Sequence, residues 1–131
     1  MILMDTCAII WDALEHQQLS PTALKAINKA DAHNALIISD ISIWEISMLI
    51  KKGRIEVATT PANFINLFLQ SRNISVISIS AEIAELSVNF GREINNDPAD
   101  RIIAATSIIQ NAQLVTADKN FLNSELIDTL W

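Results

Sequence analysis

The hydrophobic and polar residues of the chain form blocks that predict short strands separated by amphipathic helices. Between the strand-like segments, apolar residues recur every three or four positions, which is typical of helices with one buried face. The strand-like segments are short apolar runs at 1–4, 36–38, 74–79 and 114–116. This alternation predicts an α/β protein with a short, mainly parallel central sheet that helices cover on both faces.

Polar caps, prolines and glycines predict the helix ends. Ser20-Pro21, Thr60-Pro61 and Asp97-Pro98 each place an N-cap before a proline at the first helical position, where no N–H is lost. Gly53 and Gly91 each follow a helical pattern and are expected to end a helix. No glycine is left for a phosphate-binding loop or a dinucleotide fingerprint, so a nucleotide cofactor is not expected.

The same periodicity predicts which side chains face inward. On the helix that begins at Pro61 these are Phe64, Leu67 and Phe68, and on the helix that begins at Pro98 they are Ile102, Ala105, Ile109 and Ala112. Cys7 is the only cysteine and is expected to be a small buried hydrophobe. The segment 121–131 is expected to form a short helix and a last strand.

Composition adds an expectation about size and association. A chain of 131 residues is expected to form one domain, residues 1–131, with a core of its own. Hydrophobic residues make up 50 % of the chain and its mean hydropathy is +0.30, which predicts that part of the apolar surface is covered in a homodimer. No apolar run approaches the ~20 residues of a membrane helix, so a cytoplasmic protein without a membrane partner is expected.

The net charge narrows the possible partners. Nine Lys and Arg against fifteen Asp and Glu give a charge of −6, which counts against binding nucleic acid through a generally basic surface. The charge favours a basic protein partner. The negative charge does not exclude a nuclease, because an acidic enzyme can bind the phosphate groups of its substrate through bound cations.

Four acids are expected to meet at one edge of the sheet. Asp5 and Asp118 follow predicted strands, while Asp100 and Glu45 lie near the starts of helices at the same edge. Carboxylates gathered without a counter-ion repel one another, so their convergence points to a cation. Oxygen ligands suit Mg²⁺ or Mn²⁺, and such a site supports phosphodiester hydrolysis.

Other polar residues are interpreted more conservatively. Asp97 is either only the N-cap of its helix or an additional ligand, and Asp40 is expected to be a turn or cap residue. His16 and His33 are expected to be exposed to solvent. The candidate phosphate contacts are Lys51, Lys52, Arg54, Arg101 and Lys119, although basic residues at a helix end usually compensate its dipole.

Segments along nearly the whole chain resemble the PIN-domain ribonucleases, most of all the VapC-type toxins of bacterial toxin–antitoxin pairs. The segments are Asp5-Thr6, Trp44-Glu45-Ile46, DPADRIIAAT at 97–106 and LVTADKNF at 114–121. The resemblance implies a PIN-like three-layer α/β/α sandwich that is dimeric, cleaves RNA and is neutralised by an antitoxin. It also implies that Asp5, Glu45, Asp100 and Asp118 bind one or two Mg²⁺ or Mn²⁺ ions, and that Thr116 lines the pocket.

Two other functions are compatible with an acidic α/β protein. A signalling receiver domain also has an acidic magnesium pocket, but it normally carries a second acid beside the first strand's Asp, where this chain has Thr6 and Cys7. A catalytically silent PIN-like binding module would lack metal binding, and the presence of all four acids disfavours it.

Overall fold

Five parallel strands form the centre of the protein, and seven α-helices surround them in a computed structural model that describes residues 1–131. The predicted α/β architecture, an α/β/α sandwich, is confirmed. In chain order the elements are β1 (Ile2–Met4), α1 (Thr6–Leu14), α2 (Pro21–Ala32), β2 (Leu36–Ser39), α3 (Asp40–Lys51), α4 (Pro61–Ser71), β3 (Ile74–Ile77), α5 (Ala81–Asn89), α6 (Pro98–Ile109), β4 (Gln113–Val115), α7 (Lys119–Leu122) and β5 (Thr129–Leu130). A 3₁₀ turn, His16–Gln18, links α1 to α2.

The order of the strands creates a crevice beside β1. The sheet runs β3-β2-β1-β4-β5, so the chain first builds outward from β1 in one direction and then returns to its other side. Met4 at the end of β1 pairs with Val115 at the end of β4. Ligands of open parallel sheets bind where the strand order reverses in this way, outside the carboxyl ends of the strands.

Alternate residues of the central strands pack into two separate cores. Met4, Leu36 and Val115 face a cluster that also contains the buried residues of α1, α2 and α4. Leu3 and Leu114 face the opposite cluster, which contains buried residues of α6 and α7. Both faces of the sheet are therefore covered, as the apolar strand sequences predicted. No helix is both long and apolar enough to cross a membrane.

The predicted helix caps form as expected. The side chains of Ser20, Thr60 and Asp97 accept hydrogen bonds from backbone N–H groups at 3.0, 3.1 and 3.0 Å. Gly53 follows α3 with φ of +71°, a left-handed conformation that favours glycine.

On α4 and α6, some of the residues predicted to face inward are exposed. Leu67 is 57 % exposed, because Ile65 completes the buried face with Phe64 and Phe68. On α6, Ile109 is 43 % exposed at the free end of the helix, and Ile103 occupies the core instead.

An ion-pair network fastens helices α1 and α2 to the end of α4. The guanidinium of Arg72 donates to both carboxylate oxygens of Asp12, at 2.7 and 2.8 Å, and to Asp31 at 3.0 Å. The side chain of Asp12 is only 2 % exposed, so this arrangement, the Arg72 cluster, buries a charge together with its counter-charge.

Candidate active site

Asp5 directly follows β1 and is held in one orientation by two hydrogen bonds. Its Oδ1 accepts from the N–H of Ala8 at 2.8 Å, which caps α1, and its Oδ2 accepts from the hydroxyl of Thr116. The residue is 5 % exposed and pairs with no basic side chain. Burial therefore raises its pKa to about 6, even though both hydrogen bonds favour the charged form; the charges of Asp118 and Glu45 add to the rise.

Thr116 joins Asp5 to Asp118 across the crevice. Its hydroxyl donates to Asp5 and accepts from the backbone N–H of Asp118 at 3.0 Å. Asp118 in turn caps α7 by accepting from the N–H of Asn120 at 2.9 Å. Thr116 is completely buried and is not part of the cavity wall where the pocket was expected, so a contact with substrate stays a prediction. It lies beneath the acids and positions two of them.

A chain of hydroxyl groups orients Glu45, which lies in the second turn of α3. The hydroxyl of Thr6 donates to Oε1 of Glu45 and lies 3.0 Å from the hydroxyl of Ser42. Because a threonine hydroxyl has a single hydrogen, Ser42 is the donor in the second bond. Burial raises the pKa of Glu45, the Thr6 hydroxyl opposes that rise, and the charge of Asp97 reinforces it.

Asp100 lies in the first turn of α6, as the sequence predicts. Its Oδ2 accepts from the side-chain amide of Asn95 at 2.9 Å. Burial raises its pKa to about 6 against that hydrogen bond, and the charges of Asp97, Asp118 and Glu45 contribute further. Asp97 is the N-cap of this helix, because it accepts from the N–H of Ala99, and its possible additional role as a ligand stays a prediction.

The four predicted acids line one cavity of about 350 Å³, here called the acid cavity. Its other lining residues are Thr6, Cys7, Trp11, Leu49 and Ala117. The structure thus brings together Asp5, Glu45, Asp100 and Asp118, and none of them pairs with lysine or arginine.

Cys7 differs from its prediction, because it is exposed and lies on the wall of this cavity. The first turn of α1 turns it toward the acids instead of the core. Partial burial and then the nearby carboxylates, Asp5 first among them, raise the pKa of its thiol to about 11. A thiol in such an electronegative setting stays protonated and is a poor nucleophile.

The oxygen donors suit a hard divalent cation, although they surround the cavity without converging on a point. No three His, Cys, Asp or Glu side chains are arranged to chelate a single ion. Magnesium is commonly held by one or two carboxylates while it keeps several waters. The donor set therefore fits an ion bound partly through water better than one enclosed by protein ligands.

Arg101 is not available for phosphate, contrary to the sequence-based expectation. Its guanidinium donates to the backbone carbonyls of Ser87, Phe90, Ile94 and Asn95. These bonds fasten the segment between α5 and α6, and with it the amide that contacts Asp100. Arg101 is absent from the wall of the acid cavity.

The remaining polar candidates lie outside the acid cavity. Lys51, Lys52, Arg54 and Lys119 are exposed, and a role in phosphate binding stays a prediction for each. His16 and His33 are exposed, as expected, although His16 lies 3.4 Å from Asp12. Asp40 accepts from the N–H of Ile79 at 3.2 Å, and this contact agrees with a structural role.

Sequence reasoning missed the uncharged residues that orient the acids. Thr6, Ser42 and Asn95 carry no distinguishing pattern, and their partners lie as far as 39 positions away. Trp11 also lines the acid cavity, and no sequence pattern marked it as a site residue.

Comparison with known proteins agrees with this geometry. The sequence profile of the PIN domain matches residues 2–124. Ribonuclease VapC22 of Mycobacterium tuberculosis is 30 % identical over 118 residues, which cover 90 % of this chain and 87 % of that protein.

Two solved structures share the fold at lower sequence identity. VapBC2 from Rickettsia felis, bound to a DNA fragment from its promoter, gives a TM-score of 0.74 at 20 % identity, over 99 % of this chain and 98 % of that one. DNA-bound VapBC from Salmonella typhimurium gives 0.72 at 16 % identity, over 98 % and 96 %.

Proposed function

The chain belongs to the PIN-domain family, and from this premise we propose that it is a divalent-metal-dependent endoribonuclease, the toxin of a toxin–antitoxin pair. The similarity to a VapC ribonuclease supports the reaction, and the fold shared with VapBC complexes supports the biological setting. One observation carries the proposal: four carboxylates line a single cavity in which no basic side chain neutralises them.

The acids of this chain would hold Mg²⁺ or Mn²⁺. Such an ion, when bound, neutralises charge on phosphoryl oxygens and lowers the pKa of water, which is the chemistry that phosphodiester hydrolysis requires. Asp5 is the most firmly oriented ligand, because both of its oxygens accept hydrogen bonds from the protein. Glu45 and Asp118 each have one oxygen that accepts a bond from the protein, so the second remains for water or for a cation.

Asp100 is suited to accept a proton from the attacking water. Its Oδ2 is fixed by Asn95, whereas its Oδ1 accepts no hydrogen bond from the protein. The unbonded oxygen is therefore left for a water molecule, which a general base must contact directly. The side chains of Trp11 and Leu49 close one side of the cavity with apolar surface.

The partners follow from the same proposal. RNA is the substrate, and the cognate antitoxin is a protein whose basic segment complements the charge of −6. We expect a single domain that acts in the cytoplasm. We also expect it to form a homodimer, because exposed apolar side chains such as Val88, which is 75 % exposed, leave surface for association. Sedimentation equilibrium measures whether the protein forms this homodimer. The antitoxin should be encoded by the neighbouring reading frame, as a protein with a DNA-binding segment and a basic amphipathic tail.

Charge-removing variants test the proposed reaction. Asp5→Asn and Asp100→Asn should each abolish RNA cleavage in Mg²⁺ or Mn²⁺, while thermal melts stay near or above that of the unaltered protein because one repelling charge is gone. Glu125→Gln removes an exposed charge outside the cavity and should cleave normally. Normal cleavage by folded Asp5→Asn would refute the mechanism.

The receiver-domain alternative fits the geometry poorly. A receiver normally carries a second acid beside the aspartate of its first strand, whereas this chain has Thr6 and Cys7 there, and the hydroxyl of Thr6 is bonded to Glu45. A silent binding module would leave titration with Mn²⁺ without heat, and that result would favour it over the enzyme.

A further inference from the structure

A second cavity lies beside the acid cavity and shares Glu45 with it. This Trp44 cavity has a volume of about 450 Å³, which is large enough for a nucleobase. Its wall consists of residues from α3 and from the start of α6, namely Ile41, Trp44, Glu45, Met48, Asp97, Pro98 and Ala99. A group placed there is adjacent to whatever the four acids bind.

Trp44 presents an open aromatic surface at this position. The residue is 59 % exposed, and it has no aromatic partner, whereas Trp11 packs against Trp131 with ring centroids 5.6 Å apart. Ile41 and Met48 lie three residues before and four residues after Trp44, so they share its face of α3 and add apolar surface beside the indole. Unpaired bases of single-stranded RNA stack on aromatic side chains of this kind.

The rim of the Trp44 cavity carries hydrogen-bond acceptors and no cationic side chain. Oδ1 of Asp97 serves as the helix cap, which leaves Oδ2 free for a base, while Glu45, whose second oxygen remains for water or a cation, adds negative charge to the rim. Guanine, adenine and cytosine each carry an exocyclic amino group that can donate to a carboxylate. Uracil has no amino group and offers only one imino N–H, which lies between two carbonyl oxygens that a carboxylate repels.

Building on the ribonuclease function above, we propose that the Trp44 cavity binds an unpaired base next to the scissile phosphate, stacked on Trp44, and selects amino-bearing bases over uracil. The shared Glu45 places this base beside the acids that act on the phosphodiester. Trp44 is thus a specificity-determining residue, while Asp97 reads the edge of the base with the oxygen that its capping role leaves free.

Binding measured without cleavage tests the inference. The background is the Asp5→Asn protein in Mg²⁺, which should not cleave RNA. Trp44→Ala, Trp44→Phe or Leu67→Ala is added to this background. The affinity of each protein for fluorescein-labelled RNA hexanucleotides is then measured by fluorescence anisotropy. Trp44→Ala should weaken binding of an adenine hexamer by about tenfold, the scale of one stacked base, and Trp44→Phe should restore most of it. Leu67→Ala removes an equally exposed apolar side chain outside both cavities and should change nothing.

The identity of the base provides a second comparison. The protein with Trp44 intact should bind the adenine hexamer more tightly than the uracil hexamer, and Asp97→Asn should reduce that preference. Trp44→Ala should also lose its effect on an RNA that is abasic at the contacted position, because there is no base left to stack.

Two outcomes would overturn the inference alone, and a third would reject the proposed function on which it rests. Binding by Trp44→Ala equal to that of Leu67→Ala, in a protein whose unaltered form cleaves RNA, rejects the base site alone. A changed association state in Trp44→Ala would make this face a protein–protein contact. If the unaltered protein fails to cleave RNA in Mg²⁺ or Mn²⁺, the ribonuclease function itself is rejected.

Discussion

The acid cavity and the Arg72 cluster are both built from aspartates, but only the cluster contains its own counter-charge. Arg72 donates to Asp12 and Asp31, and the three side chains form a closed set of ion pairs. In the acid cavity Asp5 has only neutral donors, and burial raises its pKa to about 6. One region therefore uses charge to hold helices together, whereas the other gathers carboxylates that no basic side chain neutralises.

The largest expected effect comes from removing the counter-charge of the cluster. Arg72→Met should lower the free energy of unfolding by ~3–5 kcal/mol, because it leaves the carboxylate of Asp12 buried without a partner. Urea unfolding measures this loss. Arg72→Lys is the matched control, since it keeps the charge without the two-pronged contact and should lose less. Equal stability of Arg72→Met and the unaltered protein would contradict the assignment.

The two regions should respond to pH with opposite sign. The folded-state pKa of Asp5 is above its unfolded value of 3.8, so its contribution is fully present below pH 3.8 and is lost as pH rises through about 6. The lost stability is ~3 kcal/mol for a rise of this size. The pKa of Asp31 is lowered, first by its hydrogen bond from the N–H of Asn73, so its contribution is lost only as pH falls below 3.8.

Urea unfolding in EDTA across pH 4 to 8 measures the contribution of Asp5. The unaltered protein should lose stability as the pH rises, and Asp5→Asn should lose less, although Asp100, whose pKa is also raised to about 6, still contributes. Mn²⁺ should restore stability at high pH by binding the charged form. If the free energy of unfolding without metal is the same at pH 4 and pH 8, the pKa of Asp5 is not raised in the folded protein.

A smaller effect is expected from removing the hydroxyl group of Thr116, which positions two of the acids. Thr116→Val leaves Oδ2 of Asp5 and the N–H of Asp118 without their partner, at a cost of ~1–3 kcal/mol, and should also weaken Mn²⁺ binding measured by calorimetry. Thr106→Val is the control, since Thr106 is equally buried but donates to the carbonyl of Ile102 inside α6. It should leave Mn²⁺ affinity unchanged, and a similar loss in both variants would contradict the positioning role.

The smallest expected effect concerns the acid that caps a helix. Asp97→Ala removes the bond to the N–H of Ala99 and should lower stability by ~0.5–2 kcal/mol, while the folded protein still cleaves RNA but prefers amino-bearing bases less. Asp97→Ser keeps a capping oxygen and should recover most of the stability. A variant that folds well but no longer binds metal would make Asp97 a ligand instead.

The sequence predicted the acids because strand ends and helix starts have local signals. Asp5 and Asp118 follow short apolar runs, and Asp100 follows a cap and a proline, so a few adjacent residues place each of them. The parallel sheet then brings these ends to one edge, and all four acids do line one cavity. The resemblance to a known family added their expected roles.

The residues that support the acids could not be predicted in the same way. Thr116 bonds Asp5 across 111 positions, and Arg72 meets Asp12 across 60, so no spacing rule relates them. Arg101 looked like a phosphate contact because a sequence does not show which carbonyls a guanidinium will find in the fold. The inward faces of α4 and α6 were misjudged because a periodic pattern does not specify how a helix rotates against its neighbours.

The pairing of Trp11 with Trp131 gives the protein an optical reporter of its own. One indole of the pair borders the acid cavity, so near-ultraviolet circular dichroism of the coupled rings should register the arrival of a cation without any attached label. Trp44 stands apart from that pair, and its fluorescence would respond separately to a stacked base. Two spectroscopic signals from one unmodified sample can thus separate metal loading from RNA engagement in time.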